Sequence, residues 1–384
     1  MRKIAYYLSL ILIFSVPWEN AITVAQFGTL TRSIGALTAV VCAGATLEIG
    51  FRKPHLYHGF LFAFVAWNIA SYFWSLDVEV TLVRIKTYLQ LIILSWILWE
   101  LYTEVKHLNA ALQAYIVGGY VVIASTIWNY VLEHTISEYE FGRFAGAGLN
   151  AVDQALILAL GIPIAWNLAL SGNLVQKKII FGLINYAYIP ISLFAIALTG
   201  SRTGFLVCIP AVLYILFTAG RNWNISRIYI YWVLFGATMF AVYQIPAKTT
   251  ERLATVSESI TNADLGGRVS LWEASIKAFS RYPLLGIGSG SLMKDTELNE
   301  VAHNSFLSVL SELGLIGFSL FISILIIVIF QIFYQSYPGN ILWAVVFLLW
   351  IMGAATLTWE YRKPTWLVLN LIIVSANVWE QGKT

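Results

Sequence analysis

Two arginines and a histidine stand in this sequence where chemistry is possible. Arg202 lies in LTGSRTG (198–204), between two apolar runs and with a glycine on either side. Glycine lets backbone approach a ligand closely, and a guanidinium can engage two phosphate oxygens at once. An interfacial arginine anchoring a hairpin accounts for the same residues. Arg268 opens GGRVSLWEASIKAFSRYP (266–283), where Val269, Trp272, Ile276 and Phe279 recur at i, i+3, i+7 and i+10, and Ser270, Glu273, Lys277 and Arg281 fall away from that stripe. The spacing predicts a helix lying on a membrane surface. Arg268 projects at its start, where free N–H groups and the helix dipole also favour an anion; generic headgroup binding is the alternative. His303 and Asn304 stand at the mouth of the apolar run in VAHNSFLSVLSELGLIG (301–317). An imidazole there can deprotonate a hydroxyl at neutral pH, and Asn304 is a good N-cap. A capping or interface histidine is the blander reading. Glu312, some two turns further in, is an intramembrane carboxylate that needs a partner such as Arg84.

Other patterns are weaker. PLLGIGSGS (283–291) lacks the strand that a dinucleotide fingerprint needs and reads as flexible backbone ending the amphipathic helix. Asp77 and Glu79 in SLDVEV form the nearest thing to an acidic pair, in a turn too short to favour a metal over solvent. His55, His58, His107 and His134 sit in loops on both sides and make no ligand set. No metal, cofactor or nucleophilic triad is expected. Cys42 and Cys208 lie in apolar runs, which argues against a disulfide framework.

The elements that position these residues belong to a membrane. The chain has 384 residues, 59% hydrophobic and only 11% charged, with a mean hydropathy of +0.75, far from soluble composition. Fifteen tryptophans and twenty tyrosines suit aromatic belts, while a net charge of +3 gives no reason to expect a nucleic-acid partner. The N-terminal run resembles a secretory signal but lacks a small-x-small cleavage site, so it reads as the first span. Apolar runs long enough to cross a bilayer as helix lie near 4–22, 30–49, 57–74, 81–101, 108–131, 151–170, 179–198, 202–219, 227–245, 304–333, 340–357 and 364–379. The expected fold is thus an all-α polytopic membrane protein of about twelve helices. Spans fill 1–245 and 304–384 of one integral membrane domain, and a long loop with interfacial helices fills 246–303.

Lys and Arg set the orientation. Arg2, Lys3, Arg52, Lys53, Lys106, Lys177, Lys178, Arg221, Arg227 and Lys383 fall on one side, which the positive-inside rule makes cytoplasmic, with both termini. The 246–303 loop then lies outside. Arg32, Arg84, Lys86, Arg143, Arg202, Arg268, Arg362 and Lys363 break the rule by lying at or near the outer face. Unpartnered cations there point to an anionic ligand; pairing with a nearby Glu or snorkelling into headgroups explains any single one.

GSRTG after a span, then GGRVSLWEASIKAFSRYPLLGIGSGS, then AHNSFLSVLSELGLIGF together resemble the signature of the O-antigen ligase and O-antigen polymerase superfamily. The resemblance covers about Ile196 to Phe318; the N-terminal half agrees by topology and by the R-x-x-G-x-G of FGRFAGAG (141–148). It implies a GT-C-like fold and a metal-independent, inverting glycosyltransferase of the bacterial inner membrane. Such an enzyme works at the periplasmic face on glycan carried by undecaprenyl diphosphate, among membrane lipids. Carried over, Arg202 and Arg268 would hold the diphosphate and His303 would position or deprotonate the acceptor hydroxyl, on lipid A-core or on a growing glycan. Arg84 and Arg143 would contact the same anion, with Asn304 and Glu312 also in the substrate site. Ligase and polymerase stay open. The competing readings are a lipid-linked oligosaccharide flippase, which predicts internal symmetry and helices broken near the midplane, and a non-catalytic export subunit.

Overall fold

The computed structural model describes residues 1–24, 28–135, 142–171, 179–221, 268–295, 300–336 and 338–381, together with 236, 239 and 243. Apart from those three residues the expected 227–245 span lies outside them, as do residues 246–267 and 296–299 of the loop. The other eleven expected spans coincide with helices: α1 (Arg2–Ser15), α2 (Leu30–Ile49), α3 (Leu56–Ala70), α4 (Val78–Leu101), α5 (Val105–Val131), α6 (Ala151–Leu170), α7 (Ile179–Leu198), α8 (Arg202–Arg221), then, after the loop helices α9 (Arg268–Arg281) and α10 (Leu292–Asp295), α11 (Ser305–Tyr334), α12 (Gly339–Ala354) and α13 (Lys363–Gln381). The one sheet among the described residues is a two-residue antiparallel pairing of Thr23–Val24 with Gly28–Thr29.

By length and composition seven of these helices can cross a bilayer: α2, α4, α5, α6, α7, α8 and α11. With 14, 15 and 16 residues, α1, α3 and α12 fall short of the roughly 20 residues a crossing takes; 3-10 turns at Val16–Trp18 and Ser71–Phe73 prolong the first two. The expected twelve crossings are not reached among the described residues. Buried nearly all round, α6 and α13 form the middle of the bundle. Polar side chains join helices inside it, as the reciprocal amide bonds of Gln113 with Asn185 between α5 and α7 do at 3.0 and 2.9 Å. At the end opposite the candidate site, Arg52 stacks on Trp99 at 4.0 Å and its backbone N–H donates to Glu100 at 3.0 Å.

The architecture turns on a break in α11. Gly314 has φ 65° and ψ −169°, and the helix continues only because another segment fills the gap. The N–H of Leu315 donates to Pro283 O at 2.8 Å, and Ile287 N–H and Gly288 N–H donate back to Ser311 O and Glu312 O at 3.1 and 2.9 Å. The 283–291 turn is therefore not flexible backbone: residues 286–292 are buried and hydrogen-bonded between α11 and the 75–77 bend. A Cβ on Gly286 (φ +73°) would lie 2.4 Å from Glu312 backbone, and one on Gly314 2.3 Å from Leu284 O. Only glycine fits either place. Gly314→Ala is expected to cost about 2–6 kcal/mol, from backbone strain of about 1–3 and overpacking of about 1–3. Gly59→Ala, in α3 with open space around its Cα, is expected to be neutral or to stabilise by about 0.5–1 kcal/mol. Thermal unfolding in detergent followed by tryptophan fluorescence checks the pair, and equal midpoints would contradict the wedge.

Candidate functional site

The site is built on the first turns of α11. Asn304 Oδ1 accepts from the N–H groups of Phe306 and Leu307 at 2.9 and 3.1 Å, so the residue expected at the substrate caps the helix with that atom. Ser305 Oγ donates to Leu357 O and accepts from the Trp359 N–H, both at 2.8 Å, and Ser308 Oγ donates to Glu360 Oε1 at 2.8 Å. These bonds strap the 355–362 connection onto α11. Just before the cap, His303 adopts φ 47°, a left-handed conformation uncommon for a side chain of its size and of the kind that collects at functional sites.

The predicted amphipathic helix exists as α9, and it docks on the protein through a face other than the apolar stripe. Leu271, Ser275 and Ala278 are buried, while Val269 and Ile276 are 39% and 52% exposed. Small residues let α9 dock closely on α11, which periodicity in hydrophobicity alone does not reveal. The ion pair of Arg281 with Asp295 fastens its far end to α10.

This docking brings Arg268 to His303. Arg268 is the first residue of α9, half-buried, and among the described residues it has no ion-pair partner; burial pulls its pKa down from the ordinary arginine value. A cation over a helix N-terminus adds like charge to the dipole. His303 has a pKa lowered first by burial and then by Arg268, with Glu300 and Asp153 pulling the other way; Glu300 Oε2 lies 3.9 Å from its Nε2. The imidazole is therefore neutral at pH values where an ordinary histidine is partly charged.

Asp153, in the first turn of α6, is a member of this cluster that the sequence reading passed over. Its Oδ1 accepts from Trp359 Nε1 at 2.6 Å, its Oδ2 accepts from Asn150 Nδ2 at 2.7 Å, and Arg362 lies 3.8 Å away. A lone acid in a first helical turn reads as dipole compensation, and only the fold shows its neighbours. Arg202 reaches the same end of the bundle as the first residue of α8. Its turn is anchored twice: Ser201 Oγ accepts from the Gly204 N–H at 3.1 Å, and Arg143 Nε donates to Thr199 O at 2.9 Å. Gly204 packs on Ala155 of α6, two residues after Asp153.

Arg84 and Glu312 belong to a second, deeper cluster. Arg84 is 9% exposed and stacks on Tyr361 at 3.2 Å, with Glu312 and Glu360 as its acidic neighbours and Nη1 without a hydrogen-bond partner. Glu312 Oε2 accepts from the Gly290 N–H at 2.6 Å. The expected pairing of Glu312 with Arg84 is thus electrostatic, and the same carboxylate holds the inserted turn. Burial pushes the Glu360 carboxyl up against the pull of Arg84. Arg202, Arg268 and His303 thus share one end of the bundle, whereas Arg84 and Glu312 face each other within the protein.

The comparisons with known proteins add one finding. Residues 187–322 match the family model described as O-antigen ligase. Comparison with curated proteins gave no match. The matched segment runs from within α7 into α11 and contains Arg202, Arg268, His303 and Glu312. The segment that contains Arg202, Arg268 and His303 is thus similar to the O-antigen ligase family.

Proposed function

We propose that the protein is an inverting glycosyltransferase that moves a glycan from undecaprenyl diphosphate to a sugar hydroxyl at the periplasmic face, without a metal. The observation that carries this reading is Arg268, half-buried and without an ion-pair partner among the described residues, acting with burial to lower the pKa of His303 in the same matched segment. Family membership of that segment supports membrane-bound glycan transfer in lipopolysaccharide assembly. The finer assignment rests on the residues.

A glycosyl diphosphate carries its own leaving group, so the protein has two tasks. It must stabilise negative charge as the C1–O bond breaks, and it must accept the proton of the attacking hydroxyl. In the proposed step the acceptor oxygen attacks C1 from the face opposite the diphosphate and His303 takes the hydroxyl proton. The bonding pair leaves on the diphosphate, beside Arg268 and Arg202, and configuration inverts. Arg143 acts one shell out, by holding the backbone of the Arg202 turn. The acceptor is lipid A-core for a ligase and a growing glycan for a polymerase.

The transporter reading predicts a broken helix, and α11 has one at Gly314. Its open backbone groups are, however, taken by the 283–288 turn instead of lining a path.

Arg202→Ala, Arg268→Ala and His303→Ala are each expected to abolish transfer from lipid-linked donor while the protein still inserts. Wild-type levels of product in all three would end the proposal. The acidic limb of kcat/KM is expected below the ordinary histidine pKa of about 6.5. A depressed pKa keeps the base deprotonated as pH falls, so activity persists into that range. Arg268→Gln removes a cation that disfavours the imidazolium, and the limb of its residual activity is expected to move up. A limb that stays fixed or moves down would show that Arg268 does not act on the base.

A further inference from the structure

At the end of the bundle opposite the candidate site, a half-open cleft of about 370 Å³ lies between the start of α3, the end of α4 and the 51–54 connection that leads into α3. That volume is within the range of about 300–1,000 Å³ typical of small-molecule sites. Its walls are mostly carbon, from Phe51, Leu61, Phe62, Ile92 and Trp96. Phe51 and Phe62 are each 67% exposed, so the cleft opens sideways, towards the hydrocarbon that would surround these helices.

The polar groups along the lining are already engaged. Ser95 Oγ donates to Asn370 Oδ1, and His58 Nδ1 accepts from the His55 N–H at 3.2 Å. The Glu100 carboxylate accepts from the Arg52 backbone N–H at 3.0 and 3.3 Å. A ligand rich in donors and acceptors would leave most of them unmatched here, whereas a hydrocarbon chain has none to match.

The rim is basic. The Arg52 guanidinium, stacked on Trp99, donates to Trp99 O at 2.6 Å and to Asn377 Oδ1. Both acceptors are neutral, and among the described residues the guanidinium makes no ion pair. Lys53 follows it, exposed, with its backbone O fixed by the Trp99 Nε1–H at 3.1 Å. Arg2 Nη2 donates to Glu100 O at 3.2 Å. In the set joined by these contacts, three cations stand against the single carboxylate of Glu100. A basic pocket between helices, at the end that the positive-inside rule makes cytoplasmic, suits an anionic headgroup.

We propose that this cleft holds one acyl chain of an anionic phospholipid, whose phosphate sits at Arg52 and Lys53. Charge complementarity selects the headgroup and the carbon walls select the chain. The site is remote from Arg268 and His303 and does not rest on the transferase reading.

Native mass spectrometry of the full-length protein, released from detergent, measures the binding of dioleoyl phosphatidylglycerol and of dioleoyl phosphatidylcholine, which has the same chains and no net charge. One phosphatidylglycerol per protein is expected to bind at least fivefold more tightly than phosphatidylcholine, and glycerol 3-phosphate is expected not to displace it. Arg52→Gln and Lys53→Gln, each checked for an unchanged unfolding midpoint, are expected to weaken phosphatidylglycerol binding about fivefold, the share of one basic residue near an anionic lipid. Lys53 is exposed, so its variant keeps the test open if Arg52→Gln does not fold. Ile92→Trp, which fills the cleft, is expected to weaken binding at least fivefold with both cations in place. A phosphatidylglycerol with a photoreactive group midway along one chain is expected to crosslink within 51–62 and 92–100, and excess unlabelled lipid to remove those crosslinks. Equal affinity for the two lipids, displacement by glycerol 3-phosphate, unchanged binding in Lys53→Gln and Ile92→Trp, or crosslinks confined to other helices would each overturn the site.

Discussion

The insertion of one backbone segment into another helix is the constraint from which the rest follows. Where α11 breaks at Gly314, its freed N–H and C=O groups lie inside a bundle expected to sit in lipid, where each unsatisfied group costs several kcal/mol. Pro283 to Gly288 supply the partners, so the break and the turn stabilise each other, and neither is reasonable alone. Because the turn is the direct continuation of α9, fixing it fixes where α9 lies, and with it the position of Arg268 relative to the start of α11. Glu312 adds a second tie by accepting from Gly290. The cation and the histidine are thus held by elements that are covalently continuous with one another's supports.

Electrostatic order extends outward from that core. The bundle pairs its deeper charges: Arg84 with Glu312 and Glu360, Asp153 with Arg362, Glu19 with Lys363. Pairing of this kind offsets part of the desolvation of each ion and fixes loop positions, and says little about ligands. Arg268 differs in being half-buried, unpaired among the described residues and set at a helix N-terminus. Desolvating a cation without a partner is unfavourable for the free protein, a cost that the anionic donor of the proposed reaction would offset.

Much of this was legible in the sequence, and what was not has specific causes. Eleven expected spans appear as helices because an apolar run of sufficient length has few other folds in lipid. The motif residues Arg202, Arg268 and His303 could be singled out by type and by their glycine or helix-start surroundings. The docking face of α9 was not legible, since Ser275 and Ala278 pack through smallness and carry no hydrophobic signal. The 283–291 turn was taken as flexible for a related reason: glycine permits both mobility and tight burial, and only the partner, here the gap at Gly314, decides between them. Asp153 was missed because its importance is relational, set by Trp359 and Arg362 some two hundred residues away.

The same relations bear on the proposed proton transfer. Burial and Arg268 keep the imidazole neutral, while Asp153 and Glu300 favour the imidazolium once it forms. In the proposed reaction the imidazole would thus be available before proton transfer and, with Asp153 and Glu300 favouring its charged form, stabilised after it.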